Sequence, residues 1–126
     1  MIEITQEPLS VEKIVSQTKT TGSGCVVTYV GLIRDNSQGK AVKSVEYQDP
    51  DGTAGAKLQM IADEARQKWQ VEDISISHRT GTLKVGDINL IAAVASAHRE
   101  EGLAACRYII DQFKNSLPTR KKESYL

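Results

Sequence analysis

Residues 88–97, Ile-Asn-Leu-Ile-Ala-Ala-Val-Ala-Ser-Ala, form an apolar run that passes into a helical pattern at His98-Arg99 with no intervening turn residues. A segment apolar on both faces has to be buried on both, which makes it a central strand. Residues 24–33, Gly-Cys-Val-Val-Thr-Tyr-Val-Gly-Leu-Ile, repeat the pattern and read the same way. The chain therefore has to build a sheet, and a helix has to leave it abruptly at residue 99.

The remaining pattern supplies the partners of that sheet. Residues 2–6 read as a short strand, and Ser10 is placed to cap a helix over 11–18. Arg34 leads into the polar loop Asp-Asn-Ser-Gln-Gly, and a strand over 42–48 runs into the turn Asp49-Pro50-Asp51-Gly52. Leu58, Ile61, Ala65 and Trp69 then recur at helical spacing. Residues 73–79 alternate, with Ile74, Ile76 and His78 on one face, while Gly81 and Gly86 bracket a tight connection. The last helix spans Arg99 to Leu117, with Leu103, Cys106, Ile110, Phe113 and Leu117 as its core stripe and Pro118 as its stop. Strands and helices do not alternate strictly, so the pattern predicts an α+β fold with a mainly antiparallel sheet, in one domain over 1–126.

Charge and cysteine usage narrow the function. The 126 residues carry 16 Lys+Arg against 16 Asp+Glu, and such a balance argues against a general nucleic-acid binder. The longest apolar run is about half a membrane span. Met-Ile-Glu-Ile-Thr lacks the basic start and apolar block of a secretory signal, so the expected compartment is the reducing cytoplasm. Cys25 and Cys106 sit in apolar segments and read as core residues. With His78 and His98 they share no ligand-like spacing, so no metal site is expected. His78 lies on the apolar face of its strand and reads as a hydrogen-bonded core histidine.

His98 and Arg99 stand where a strand ends and a helix begins. A cation there opposes the helix dipole by about 0.3–1 kcal/mol, so Arg99 calls for a compensating negative charge: a carboxylate such as Glu100 or Glu101, or a bound anion. Lys114 suits the last turn of its helix, and Arg120-Lys121-Lys122 is equally suited to a solvated tail. Together with Arg34 at a strand exit, however, all these groups lie at element ends, where pockets form.

In this order the residues resemble the large, catalytic subunit family of molybdopterin synthase. The matching pieces are Gly24 to Gly31 with Arg34, Glu46-Tyr47, Ile76-Ser-His-Arg-Thr-Gly-Thr-Leu83 with Val85-Gly86-Asp87, Ser96-Ala97-His98-Arg99, and Lys114-x-x-x-Pro-x-x-Lys121 followed by Lys122-Glu123. The resemblance implies an α/β-hammerhead type of α+β fold. It also implies a homodimer that binds two small ubiquitin-like sulfur carriers, each ending in Gly-Gly, as a heterotetramer. The implied reaction moves sulfur from the carrier's C-terminal thiocarboxylate to cyclic pyranopterin monophosphate, making the molybdopterin dithiolene without a metal or organic cofactor. Carried over by position, Lys114 and Lys121 are the catalytic candidates, and Arg34, His98, Arg99, Lys122 and Glu123 the substrate-binding ones. Arg120 stands where the family usually has an aromatic residue, and the chain stops at Ser124-Tyr125-Leu126 where family members generally continue.

Those roles fit the chemistry. A cyclic phosphate and a thiocarboxylate are both anions, and cations must offset their repulsion before they can react. Arginine offers a planar fork to phosphate oxygens, whereas lysine is a point charge that gives up its proton when desolvated. Arg34, His98 and Arg99 are thus expected to hold the phosphate, and Lys114 to do acid–base or covalent work beside Lys121. Two alternatives use the same residues: a non-catalytic dimeric scaffold that binds a partner's C-terminal tail, and a phosphate-ester enzyme built on His98.

Overall fold

Strand β7 (Ile88–Ser96) is the axis of the molecule in the computed structural model, which describes residues 1–126. It lies between β5 (Asp73–Arg79) and β2 (Cys25–Leu32), antiparallel to both, and β1 (Ile2–Thr5) extends the sheet in parallel with β5. Alternation along β7 sends Leu90, Ala92 and Val94 into the main core, against α2 (Ala54–Lys68) and α3 (Arg99–Asn115). Ile91 and Ala93 face the other way, onto Ile14 of α1 (Val11–Thr18). Helices cover both faces, which is why this strand can be apolar throughout.

A second sheet is built on β4 (Lys40–Gln48). It forms a hairpin with β3 (Asn36–Ser37), pairs with β6 (Gly81–Lys84) on one side and takes β8 (Arg120–Tyr125) along the other. Its small core consists of Ile33, Val42, Val45, Tyr47 and Leu83. The α+β class and the mainly antiparallel pairing agree with the sequence pattern. The Ser10 cap is also as expected, its hydroxyl accepting from the Lys13 amide at 3.2 Å.

Three sequence expectations are corrected. β2 is an edge strand, bonded only to β7; its side chains are apolar because α3 packs on one face and α1 on the other, while its outer backbone edge stays open. The buried face of α3 is Gly102, Ala105, Cys106, Ile109 and Phe113, and Leu103 is 54% exposed. The helix lies so close to the sheet that a Cβ at residue 102 would stand 2.6 Å from Ser96 Oγ, so small residues take the positions an apolar stripe assigns to large ones. The third correction is β8, Arg-Lys-Lys-Glu-Ser-Tyr, which is a strand rather than a solvated tail because β4 offers it a pairing edge.

The start of β2 is fitted tightly to the turn that follows β7. Gly24 donates its amide to Ser96 O at 2.9 Å, and a Cβ there would collide with the Ala97 carbonyl oxygen. That atom belongs to the backbone and cannot move alone. Gly24→Ala is therefore expected to lower unfolding stability by about 1–3 kcal/mol, measured by urea denaturation; an unchanged midpoint would show that the β7 turn can yield.

Candidate active site

A cavity of about 270 Å³ opens where the end of β2, the end of α3 and strand β8 meet. Arg34 follows β2 into the loop, and its Nε and Nη2 donate to the Asn36 carbonyl at 3.3 and 3.0 Å, holding the guanidinium on the rim. Lys114 reaches in from the last turn of α3, with its Nζ 6.0 Å from the centroid of the Tyr29 ring. Lys121 and Glu123 come from β8, where they pair with Tyr47 and Val45 of β4 and share their face. Glu123 Oε1 accepts from Ser37 Oγ at 3.1 Å. Tyr29, Leu90 and Phe113 are among the apolar lining.

The other sequence candidates lie elsewhere in the chain. Lys122 pairs with Glu46 and, by strand alternation, occupies the face of β8 opposite Lys121. His98 and Arg99 begin α3, about 22 Å along its axis from Lys114 at 1.5 Å per residue. They line a separate polar depression with Glu100 and Glu101. The β7–α3 turn is fixed by Ser96 Oγ donating to His98 O at 2.6 Å. Arg99 forms no ion pair within the chain, and Glu101 Oε2 is buried without a hydrogen-bond partner. The carboxylate explanation for Arg99 therefore fails inside one copy.

Sequence reasoning missed the neutral frame behind the cations. Asn89, the one polar residue inside an otherwise apolar stretch of β7, was the available signal. Its Nδ2 donates to the Tyr47 hydroxyl at 3.0 Å, and its carbonyl lies 2.8 Å from His78 Nδ1. A carbonyl only accepts, so His78 carries its proton on Nδ1 and receives the Thr119 hydroxyl on Nε2, also at 2.8 Å. The imidazole is fully buried, as expected of a core histidine, with the rings of Tyr47 and Phe113 edge-on at 4.9 and 5.0 Å. Burial holds its pKa below the ordinary 6.5, against opposing pulls from the Asn89 carbonyl and Asp49. Burial raises the Tyr47 phenol, with the Asn89 bond opposing and the Glu123 charge assisting.

The chain has solved and curated counterparts. The family model described as MoaE protein matches residues 4–116. The chain is 40% identical over 123 residues to the molybdopterin synthase catalytic subunit of Nostoc sp., covering 97% of this chain and 74% of that relative. The crystal structure of molybdopterin synthase from Staphylococcus aureus superposes with a TM-score of 0.91 at 35% identity, over 98% of this chain and 90% of that one. The chain belongs to the MoaE family. It is thereby a catalytic subunit of the molybdopterin synthase type, a sulfurtransferase of molybdenum cofactor biosynthesis. A fold likeness at 16% identity, TM-score 0.78 over 98% of this chain and 88% of that one, is a complex of subunits 1 and 2 of molybdopterin-converting factor from Helicobacter pylori.

The His78 environment sets a pH dependence. The fold depresses the imidazole's proton affinity, so below the ordinary value of 6.5 the unfolded chain binds the additional proton. Stability from this source is full above that pH and declines as the pH falls below it. Between about pH 7.5 and 5, wild type is expected to lose up to about 1.4 kcal/mol per pH unit more than His78→Gln, measured by urea unfolding; parallel pH profiles would refute a neutral buried imidazole.

Proposed function

We propose that this cavity is where the sulfur carrier's thiocarboxylate meets cyclic pyranopterin monophosphate. The observation that carries the reading is that Arg34, Lys114 and Lys121, from three separate elements, line one small cavity with an apolar floor. Three cations against one carboxylate, Glu123, leave a positive excess in an otherwise uncharged frame, which suits two anions that must approach each other. Lys114, nearest the aromatic floor, is the acid–base or covalent group; Lys121 offsets charge on the thiocarboxylate, and Arg34 takes phosphate oxygens. Glu123, bonded to Ser37, holds the Arg34–Ser37 loop over the rim. Lys122, on the opposite face, serves the carrier's surface rather than the pterin.

A second copy of the chain completes the site in this reading. The open edge of β2 is eight residues long and apolar, the kind of edge that stable proteins pair or cover. Two copies joined antiparallel through β2 set the Cys25 end of one against the Leu32 end of the other. Cys25 pairs with Ser96, just before His98 and Arg99, whereas Leu32 lies just before Arg34. His98 and Arg99 of the partner subunit would thus reach this chain's rim, where Arg99 meets the phosphate. Its lack of an ion pair within the chain and the partnerless Glu101 oxygen, both at that end of α3, support this placement. The partner in catalysis is a small subunit ending in Gly-Gly, in line with the two-subunit complex of the Helicobacter relative.

In a reconstituted reaction with thiocarboxylated carrier, Lys114→Ala is expected to lose at least about 100-fold in turnover with carrier binding nearly intact. Turnover close to wild type would remove Lys114 from the chemistry. Mixing Lys114→Ala with Arg99→Ala copies tests the shared site. Subunit exchange should restore roughly a quarter of wild-type activity, because half the dimers are mixed and one of their two sites is whole; no recovery would place both residues in the same copy's site.

A further inference from the structure

Tyr47 lines the cavity although it is only 4% exposed. Its oxygen is already committed as an acceptor, since the Asn89 amide nitrogen at 3.0 Å can only donate. The phenolic hydrogen therefore has no acceptor in the chain. A buried donor in that state is costly, and the cavity is the place from which an acceptor can come. Burial and the nearby Glu123 charge keep the phenol protonated at neutral pH. The hydroxyl is also fixed in space: the ring lies edge-on to His78 at 4.9 Å, and the same imidazole holds the main chain of Asn89 through its carbonyl. Lys121 stands directly beside Tyr47 across the β4–β8 pair.

We propose that the Tyr47 hydroxyl donates a hydrogen bond to the acyl oxygen of the carrier's terminal thiocarboxylate, with Asn89 as the residue that positions it. This rests on the functional reading above and assigns the end group's orientation within the cavity. A thiocarboxylate presents one oxygen and one sulfur. Sulfur is a weak acceptor, so a fixed phenol selects the oxygen and leaves the sulfur directed at the pterin. Lys121 cannot make that choice alone, because a point charge attracts both atoms. Tyr47 and Asn89 thus set which atom of the end group reacts.

The test is Tyr47→Phe in the carrier-dependent reaction, read as single-turnover rate beside carrier affinity and thermal midpoint. The rate is expected to fall about 10- to 100-fold, the loss of one hydrogen bond to a charged acceptor, with affinity within about threefold of wild type. Asn89→Ala frees the phenol without removing it and is expected to lower the rate about 3- to 10-fold. In the Tyr47→Phe background it should add nothing further, because it acts through the hydroxyl. A Tyr47→Phe rate within twofold of wild type overturns the proposal, as does a loss of affinity that matches the loss of rate, or an Asn89→Ala effect that persists in the double variant. Should Tyr47→Phe fail to fold, Asn89→Ala alone decides: an unchanged rate overturns the assignment, and a slowed rate at unchanged affinity supports it. An inactive wild type would instead overturn the functional reading, and the hydroxyl's role with it.

Discussion

His78 joins the two sheets, and the cavity depends on that junction. The residue belongs to β5 of the helix-covered sheet, yet its ring contacts reach Thr119 ahead of β8, Tyr47 in β4 and Phe113 in α3. Three of the elements that line the cavity, β4, β7 and α3, thus contact one imidazole. Because the ring is wholly buried, each of its nitrogens needs a partner, and the two partners it has fix one tautomer and one orientation. Thr119 is held as a result, and with it the path from Lys114 at the end of α3 to Lys121 in β8.

Such a junction answers an electrostatic problem. Three cations placed close together repel one another, and no short-range attraction among them holds the arrangement. The fold supplies the restraint from behind, through neutral aromatic packing and hydrogen bonds, so that the charges remain near each other. Glu123 relieves part of the repulsion while tied to Ser37. An anion entering this space gains attraction without first having to gather the cations, which is the benefit of preorganisation.

Much of the fold was legible from local pattern. The β5 alternation, the apolar β7, the Ser10 cap and the abrupt start of α3 are decided by residues near one another in sequence. The failures share a cause. β2 reads as central because side-chain hydrophobicity records which faces are covered and carries no information on backbone pairing. The buried face of α3 is misread because close helix–sheet contact favours Gly102 and Ala105. β8 has no strand signature because its stability comes from pairing with β4. At the site, cationic residues at element ends were visible as a set, whereas Tyr47 was visible only through the Glu46-Tyr47 piece of the resemblance, without a role, and Asn89 was hidden in a run read as an apolar strand.

The sequence by itself determined most element types, β8 excepted, together with the balance of charge and the identity of the cations, since these follow from side-chain chemistry and short-range periodicity. Tertiary structure alone decided which of those cations share a cavity. A strand's alternation separates Lys121 from its neighbour Lys122, a helix's length separates Arg99 from Lys114, and sheet pairing brings Lys121 to Tyr47 across more than half the chain. Proximity of that kind is set by backbone hydrogen bonding and packing between distant segments, which no local pattern of residues encodes.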